Sequence, residues 1–286
     1  MADSLRKTTK IGQTEFRWGE RTYVMGIINM SPESFSGDGL TQIDAAIEQA
    51  KRFAAEGADI LDIGGESTKP GLPEIPEGEE AKRVIPLIEK LSCTVKIPVS
   101  IDTCRYEVSR QALEAGASLI NDQWGLKKEP RLAELAAKYR VPVILMSNQR
   151  DIGGYDATTG RDTADYCDVI EAVTTNLQTS ISHAFEAGVS SENIIIDPGI
   201  GFGHRWQQDI EIIKRLRELK KFGKPILIGT SRKSLIKMVL KLPADDRVEG
   251  TAATVAISIA NGADIVRVHD VKQMVRVCRM TDAIVR

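Results

Sequence analysis

Residues 194–203 read Ile194-Ile195-Ile196-Asp197-Pro198-Gly199-Ile200-Gly201-Phe202-Gly203. The leading run of β-branched apolar residues suits a strand buried on both faces. It stops at a carboxylate, and the glycines that follow let the backbone fold close beside that carboxylate. A charged group at the mouth of a buried strand is a ligand site more readily than a structural feature.

Seven further apolar runs end in the same way, at 23–28, 58–63, 97–101, 118–120, 142–146, 225–228 and 265–268. They are nearly continuous Val/Ile/Leu runs, as expected of a parallel sheet covered on both faces. Helical patterns lie between them. One over 44–56 ends at Gly57, where glycine supplies a left-handed C-cap, and the same punctuation recurs at Gly116, Gly188 and Gly262. Eight strands alternating with helices in 286 residues match an α/β TIM (β/α)8 barrel. A doubly wound sheet of this length usually has fewer strands or a second domain. Residues 1–22 read as a short N-terminal extension, a hairpin or plug under the barrel floor, because Phe16 and Trp18 alternate with charged neighbours. Residues 23–286 then form the one barrel.

Composition narrows the partners. A net charge of −2 leaves no basic footprint for nucleic acid or an anionic membrane surface, so small-molecule substrates are expected. Cys93, Cys104, Cys167 and Cys278 show neither CxxC spacing nor neighbouring histidine pairs, which argues against a zinc site or a disulfide framework. The first ten residues lack a secretory apolar stretch, and no run is long enough for a membrane span. A cytoplasmic protein is expected.

In a TIM barrel the C-terminal strand ends carry the chemistry. Here they offer Asn29, Asp62 to Thr68, Asp102, Asn121-Asp122, Asp197, Ser231-Arg232-Lys233 and Arg267-Val268-His269. Any single Asp or Asn at such a place is as readily a helix cap or turn anchor. Caps do not call for lysine, arginine and histidine on the same rim. Arg267 and His269 stand two apart on an extended strand and share a face, so they can clamp one anion. The loops after strands seven and eight are where this fold most often holds phosphate, and Ser231, Lys233, Arg267 and His269 fall there. Asp102, Asn121 and Asp197 offer two carboxylates and an amide to a flat heterocycle rich in N–H donors, with Lys233 meeting its carbonyl oxygen.

The segments 25–36, 62–71, 100–103, 120–122, 197–203, 229–234, 249–251 and 267–270 together resemble dihydropteroate synthase, in order from about residue 22 to the end. The resemblance implies a transferase in folate biosynthesis: 4-aminobenzoate displaces pyrophosphate from 6-hydroxymethyl-7,8-dihydropterin diphosphate, giving 7,8-dihydropteroate. By that resemblance Asp102, Asn121, Asp197 and Lys233 hold the pterin ring, and Met146 and Phe202 shape its pocket. Arg267 covers the ring face and, with His269 and Asn29, binds the pyrophosphate. Asn29 also helps to hold Mg²⁺ on the leaving group. Two loops, 31–40 and 68–76, bring Phe35, Thr68, Lys69 and Pro70 over the aminobenzoate together with Ser234. The resemblance further implies a homodimer through the outer helices of the later barrel, near 252–263, and sensitivity to sulfonamides.

Three departures from the family stand out. Ser147 follows Met146 where a histidine is usual, and a long loop, 152–160, continues from there as a flap over the pocket. The first loop reads Phe35-Ser36-Gly37-Asp38-Gly39, and Lys69 replaces a frequent arginine, losing a bidentate contact to aminobenzoate. Two other readings share the pterin site. A folate/corrinoid methyltransferase of the same barrel type is not expected to keep the Ser231-Arg232-Lys233 and Arg267-Val268-His269 pair. A non-catalytic pterin-binding paralogue keeps the pocket without turnover. Pyrophosphate release separates the synthase from both.

Overall fold

The computed structural model describes residues 8–31, 39–67, 72–150, 155–156, 161–162 and 166–286. The chain opens with an antiparallel hairpin, β1 (Thr8–Ile11) and β2 (Thr14–Arg17). There follow β3 (Tyr23–Asn29), α1 (Ile43–Glu56), β4 (Ile60–Gly64), α2 (Glu77–Thr94), β5 (Val99–Asp102), α3 (Tyr106–Glu114), β6 (Leu119–Asp122), α4 (Arg131–Tyr139) and β7 (Val143–Met146). A two-residue antiparallel pair, β8 (Tyr155–Asp156) and β9 (Arg161–Asp162), precedes α5 (Val169–Glu186) and β10 (Ile194–Asp197). The chain closes through α6 (Trp206–Lys214), β11 (Leu227–Ile228), α7 (Ser234–Leu240), α8 (Val248–Ala260), β12 (Ile265–Val268) and α9 (Val271–Val285).

Eight strands form one parallel sheet in the order β10-β7-β6-β5-β4-β3-β12-β11. Its two ends meet at a parallel bridge between Ile196 and Ile226, where the Ile196 N–H donates to the Pro225 carbonyl at 3.0 Å. The sheet is therefore a closed (β/α)8 barrel, as the alternating runs predict. At the end of α1, Gly57 takes φ +101° and its N–H closes the last turn onto the Ala54 carbonyl, so the chain can reverse into β4.

Strand parity divides the core. Val24, Ile28, Leu61, Ile63, Val99 and Ile101 face outward and join the layer packed under the helices. Met25, Ile60, Leu119, Ile144, Ile195, Leu227 and Ile265 face inward and fill the barrel floor. The hairpin seals that floor from below. Phe16, fully buried, lies 4.7 Å from the Tyr23 ring and 5.7 Å from Trp18, centre to centre. Trp18 Nε1 donates to Thr9 Oγ1, whose hydroxyl donates to the Glu192 carbonyl at 2.6 Å, tying the hairpin to the segment before β10. Phe16→Ala is expected to destabilise the fold by about 3–5 kcal/mol, and urea unfolding showing a loss below about 1 kcal/mol would separate the hairpin from the barrel core.

Candidate active site

Two residues above the apolar floor, the same inward parity turns polar. Ile60 is followed by Asp62, Leu119 by Asn121, Ile195 by Asp197 and Ile265 by Arg267, while Met25 and Ile144 give way to Ile27 and Met146. The period-2 geometry of the strands thus delivers the polar groups as one layer at the C-terminal mouth.

One wall of that mouth is an ion network. Arg267 Nε donates to Asp62 Oδ2 at 2.5 Å, and Nη2 donates to Asp102 Oδ2 at 2.5 Å. Asn121 Nδ2 donates to the same Asp62 oxygen at 2.9 Å. Gln123 Nε2 reaches both oxygens of Asp102, at 2.6 and 2.5 Å. Burial pushes Asp102 up to about 7, helped by the neighbouring Asp62 and opposed by Arg267 and the Gln123 amide. Burial also works against the Arg267 cation, but Asp62 and Asp102 outweigh it and hold its pKa above the usual arginine value. Neither carboxylate is tolerable at this depth without the guanidinium between them.

The opposite wall is the loop quoted at the outset. Asp197 Oδ1 accepts from the Gly199 N–H at 2.7 Å. Gly199 has φ +77°, and a Cβ there would sit 2.0 Å from the Ser147 carbonyl oxygen, so only glycine lets the loop pass the end of β7. The Ser147 N–H donates to the Asp197 carbonyl and the Gln149 N–H to the Phe202 carbonyl, at 2.9 and 3.1 Å. Residues 147–149 therefore support the loop through their backbone. Lys233 Nζ donates to the Ile200 carbonyl at 2.5 Å and lies 4.7 Å from the Phe202 ring centre. Burial lowers Lys233 to about 8, with Asp197 and Asp209 acting against that drop. Burial likewise raises Asp197, against the pull of Lys233 and the Gly199 N–H.

Between the walls runs the turn 229–233. Arg232 sits at φ +59°, an uncommon conformation for a residue with a side chain, and it is pinned there from three sides. Its guanidinium pairs with Asp270 at 2.7 and 3.1 Å, its N–H meets Thr251 Oγ1, and its carbonyl accepts from Arg247. The turn so fixed sets Ser231 against His269: Oγ lies 2.9 Å from Nδ1 and accepts the His269 backbone N–H at 3.2 Å. The Ser231 contact engages Nδ1 and leaves Nε2 as the ring nitrogen available at the mouth.

Asn121, Met146, Asp197, Phe202, Lys233, Arg267 and His269, all expected site residues, line one small cavity of about 40 Å³, together with Gln123 and Ser231. Asp102 stands behind Gln123 and Arg267. The Asn29 and Asp102 oxygens lie 3.8 and 3.6 Å from where a Cβ on Gly64 would project, so Asn29 belongs to the same rim. Ser234 is exposed at the start of α7. Phe35, Thr68, Lys69 and Pro70 lie outside the described residues, as does most of the 152–160 loop. Asp62 is offered by the sequence among the strand-end groups without an assigned role, and Gln123 is not singled out there at all. Asp62 interrupts the apolar run of β4 at the parity of Asn121 and Asp197, which marks it as inward-facing. A larger hollow of about 490 Å³ beside α5 carries Lys127, Tyr166 and Cys167 but none of the strand-end groups.

Among the described residues no cluster of three or more His, Cys, Asp or Glu side chains is placed to hold a metal ion, and no helix is long and apolar enough to cross a membrane.

The profile of the pterin binding enzyme family matches residues 25–269. The curated dihydropteroate synthase of Clostridium beijerinckii is 49% identical over 279 residues, covering 97% of this chain and 99% of that protein. A crystal structure of the Clostridium difficile dihydropteroate synthase, determined in the presence of pteroic acid, superposes with a TM-score of 0.86 at 46% identity, covering 95% of this chain and 99% of the other. That of the Xanthomonas albilineans synthase with 4-aminobenzoic acid gives 0.88 at 36% identity, covering 98% of each chain. The chain belongs to the dihydropteroate synthase family of pterin-binding enzymes.

Proposed function

We infer that this chain condenses 4-aminobenzoate with 6-hydroxymethyl-7,8-dihydropterin diphosphate, releasing pyrophosphate and giving 7,8-dihydropteroate. The observation that carries the reading is the single cavity lined by Asn121, Asp197, Lys233, Arg267 and His269, in a fold whose relatives are synthases. Asp197 and Asn121 face the ring's N–H groups, Lys233 its carbonyl oxygen, and Met146 and Phe202 its faces. Arg267, held by Asp62 and Asp102, lies along the ring, and with His269 and Asn29 it receives the diphosphate. Ser234, Phe35, Thr68, Lys69 and Pro70 contribute to the aminobenzoate end.

The amine lone pair attacks the exocyclic methylene carbon, the C–N bond forms as the C–O bond breaks, and the electron pair leaves with pyrophosphate. The proton lost by the amine passes to solvent. As the C–O bond stretches, positive charge spreads into the pterin and negative charge onto the leaving oxygens. Asp102 and Asp197 stabilise the first and Arg267 and His269 the second, each fixed contact contributing about 3 kcal/mol. No nucleophilic side chain is required, because an aromatic amine is neutral near pH 7.

Mg²⁺ fits this rim as an ion carried mainly by the diphosphate, since Asn29 supplies one hard neutral oxygen there and, among the described residues, no carboxylate, histidine or cysteine cluster adds a cage. Bound with Asn29 as its ligand, it would neutralise charge on the leaving group.

The productive site needs Asp102 ionised and Lys233 protonated. With Asp102 held up at about 7 and Lys233 down at about 8, kcat/KM for the pterin diphosphate is expected to trace a narrow bell. It falls as pH drops through the first value, where Asp102 gains a proton, and as pH rises through the second, where Lys233 loses one. A profile flat from pH 6 to 9 would contradict the assignment.

Two copies pair through α6, α7 and α8. Val239 and Ile257 are 55% and 53% exposed, and with Ile210, Ile213, Leu235 and Ile236 they line an apolar groove of about 340 Å³. Sedimentation at micromolar concentration tests this, a monomer being the contrary result. The cytoplasm is the compartment that suits the four cysteines, all unpaired.

The activity is tested by incubating both substrates with Mg²⁺ and following 7,8-dihydropteroate by mass spectrometry. Product that requires the amine is expected. Pterin binding without product would instead leave a pterin-binding paralogue or a methyltransferase.

A further inference from the structure

Gln123 begins where β6 ends, and the fold holds it at both ends. Its backbone carbonyl accepts from Asn148 Nδ2 at 3.0 Å. Its Nε2 is committed to Asp102, reaching both carboxylate oxygens, and a carboxylate can only accept, so the amide is oriented with nitrogen toward Asp102 and oxygen away. Arg267 Nη2 takes Asp102 Oδ2 as well. Both Asp102 oxygens are thereby engaged. Gln123 Oε1 is the opposite case: it is buried, accepts no hydrogen bond, and belongs to a residue lining the cavity. A buried acceptor left unmet is costly, so it marks a place where a ligand donor belongs.

The sheet order indicates which donor. Going round the barrel, β11, whose following turn carries Lys233, stands four strands from β5 and three from β6. Asp102 and Gln123 therefore face Lys233 across the mouth. In a pterin the C4 carbonyl oxygen and N5 share one edge of the bicycle, and N1 and N8 share the opposite edge. A ring whose carbonyl meets Lys233 turns its N1/N8 edge toward Gln123. In the 7,8-dihydro ring N8 carries a hydrogen; in the fully aromatic ring it presents a lone pair.

We propose that Gln123 is a specificity-determining residue whose Oε1 accepts the N8–H of the reduced pterin, so that the site distinguishes dihydropterin from oxidised pterin. The proposal rests on the pterin-binding reading above. It assigns Asp102 a second task, that of fixing the Gln123 amide so that oxygen, not nitrogen, faces the ring.

The test is calorimetric titration of 6-hydroxymethyl-7,8-dihydropterin and of oxidised 6-hydroxymethylpterin into wild type, Gln123→Leu and Gln123→Met. The methionine variant keeps length and volume if leucine disturbs folding. In the variants the preference for the reduced ring is expected to fall by about tenfold, with the KM for 4-aminobenzoate unchanged. Equal weakening of both ligands would reduce Gln123 to a support for Asp102, and an unchanged preference would remove it from recognition; either overturns the proposal. Amine-dependent pyrophosphate release by the wild type is scored separately, so failure of the underlying activity is not confused with failure of this role.

Discussion

Arg267→Ala is expected to destabilise the protein by about 3–5 kcal/mol and to remove measurable turnover. The guanidinium lies between two carboxylates, Asp62 with no exposed surface and Asp102 pushed upward by burial, and it donates to each at 2.5 Å. Without it, Asp62 keeps only the Asn121 amide and Asp102 only the Gln123 amide among the side-chain donors seen here. Neutral amides do not offset two like charges at that depth. The loss has a pH signature. With no cation beside it, Asp102, already raised by burial, takes up a proton more readily, so the native state binds more protons than the unfolded chain, and the variant's stability falls as pH rises from 5 to 8. Urea unfolding at both pH values measures it. A loss below about 1 kcal/mol at pH 8 would mean that the network is not the structural centre of the mouth.

Lys233→Met should act differently, with a large kinetic effect and a small structural one. The ammonium is lowered to about 8 by burial, so the native state already binds it with some reluctance. For a lysine depressed in the native state the unfolded chain holds more protons above that value, and stability rises with pH from about 8 toward the free-lysine range. Removing the charge abolishes that rise and costs little at neutral pH. Catalytically the substitution removes the donor expected at the pterin carbonyl and the cation beside Asp197, and kcat/KM for the pterin diphosphate should drop by about 10²–10³. The alkaline limb of the bell should vanish with it. Retention of that limb would assign it to another group.

The parts of this molecule that follow a local rule were legible in the sequence. The run 194–196 and its seven companions place the barrel strands, because strands buried on both faces must be apolar without alternation. Edges were less legible. The run 58–63 suggests a strand from Ala58, yet β4 begins at Ile60, since Asp59 turns its carboxylate to the Val24 N–H at 2.8 Å and to Arg21. The identity of the rim residues was also readable, because strand ends in this fold carry the chemistry. Their pairing was not. Arg267 meets Asp62 and Asp102 across 205 and 165 positions of chain, contacts that only barrel closure creates. Strand spacing suggests that Arg267 and His269 share one anion, and both line the same cavity; spacing does not reveal that Arg267 is also held by two carboxylates and His269 Nδ1 by Ser231. Gln123 escaped notice for a related reason. One position past Asp122, it is unremarkable until β5 brings Asp102 within reach of its amide.

The most direct test is pyrophosphate release from the pterin diphosphate, measured with 4-aminobenzoate or Mg²⁺ omitted in turn, in the wild type and in Asp197→Ala. Release that requires the amine and is lost in the variant is the expected result, and it would locate the condensation at this barrel mouth. Amine-independent release, or full activity in Asp197→Ala, would contradict it.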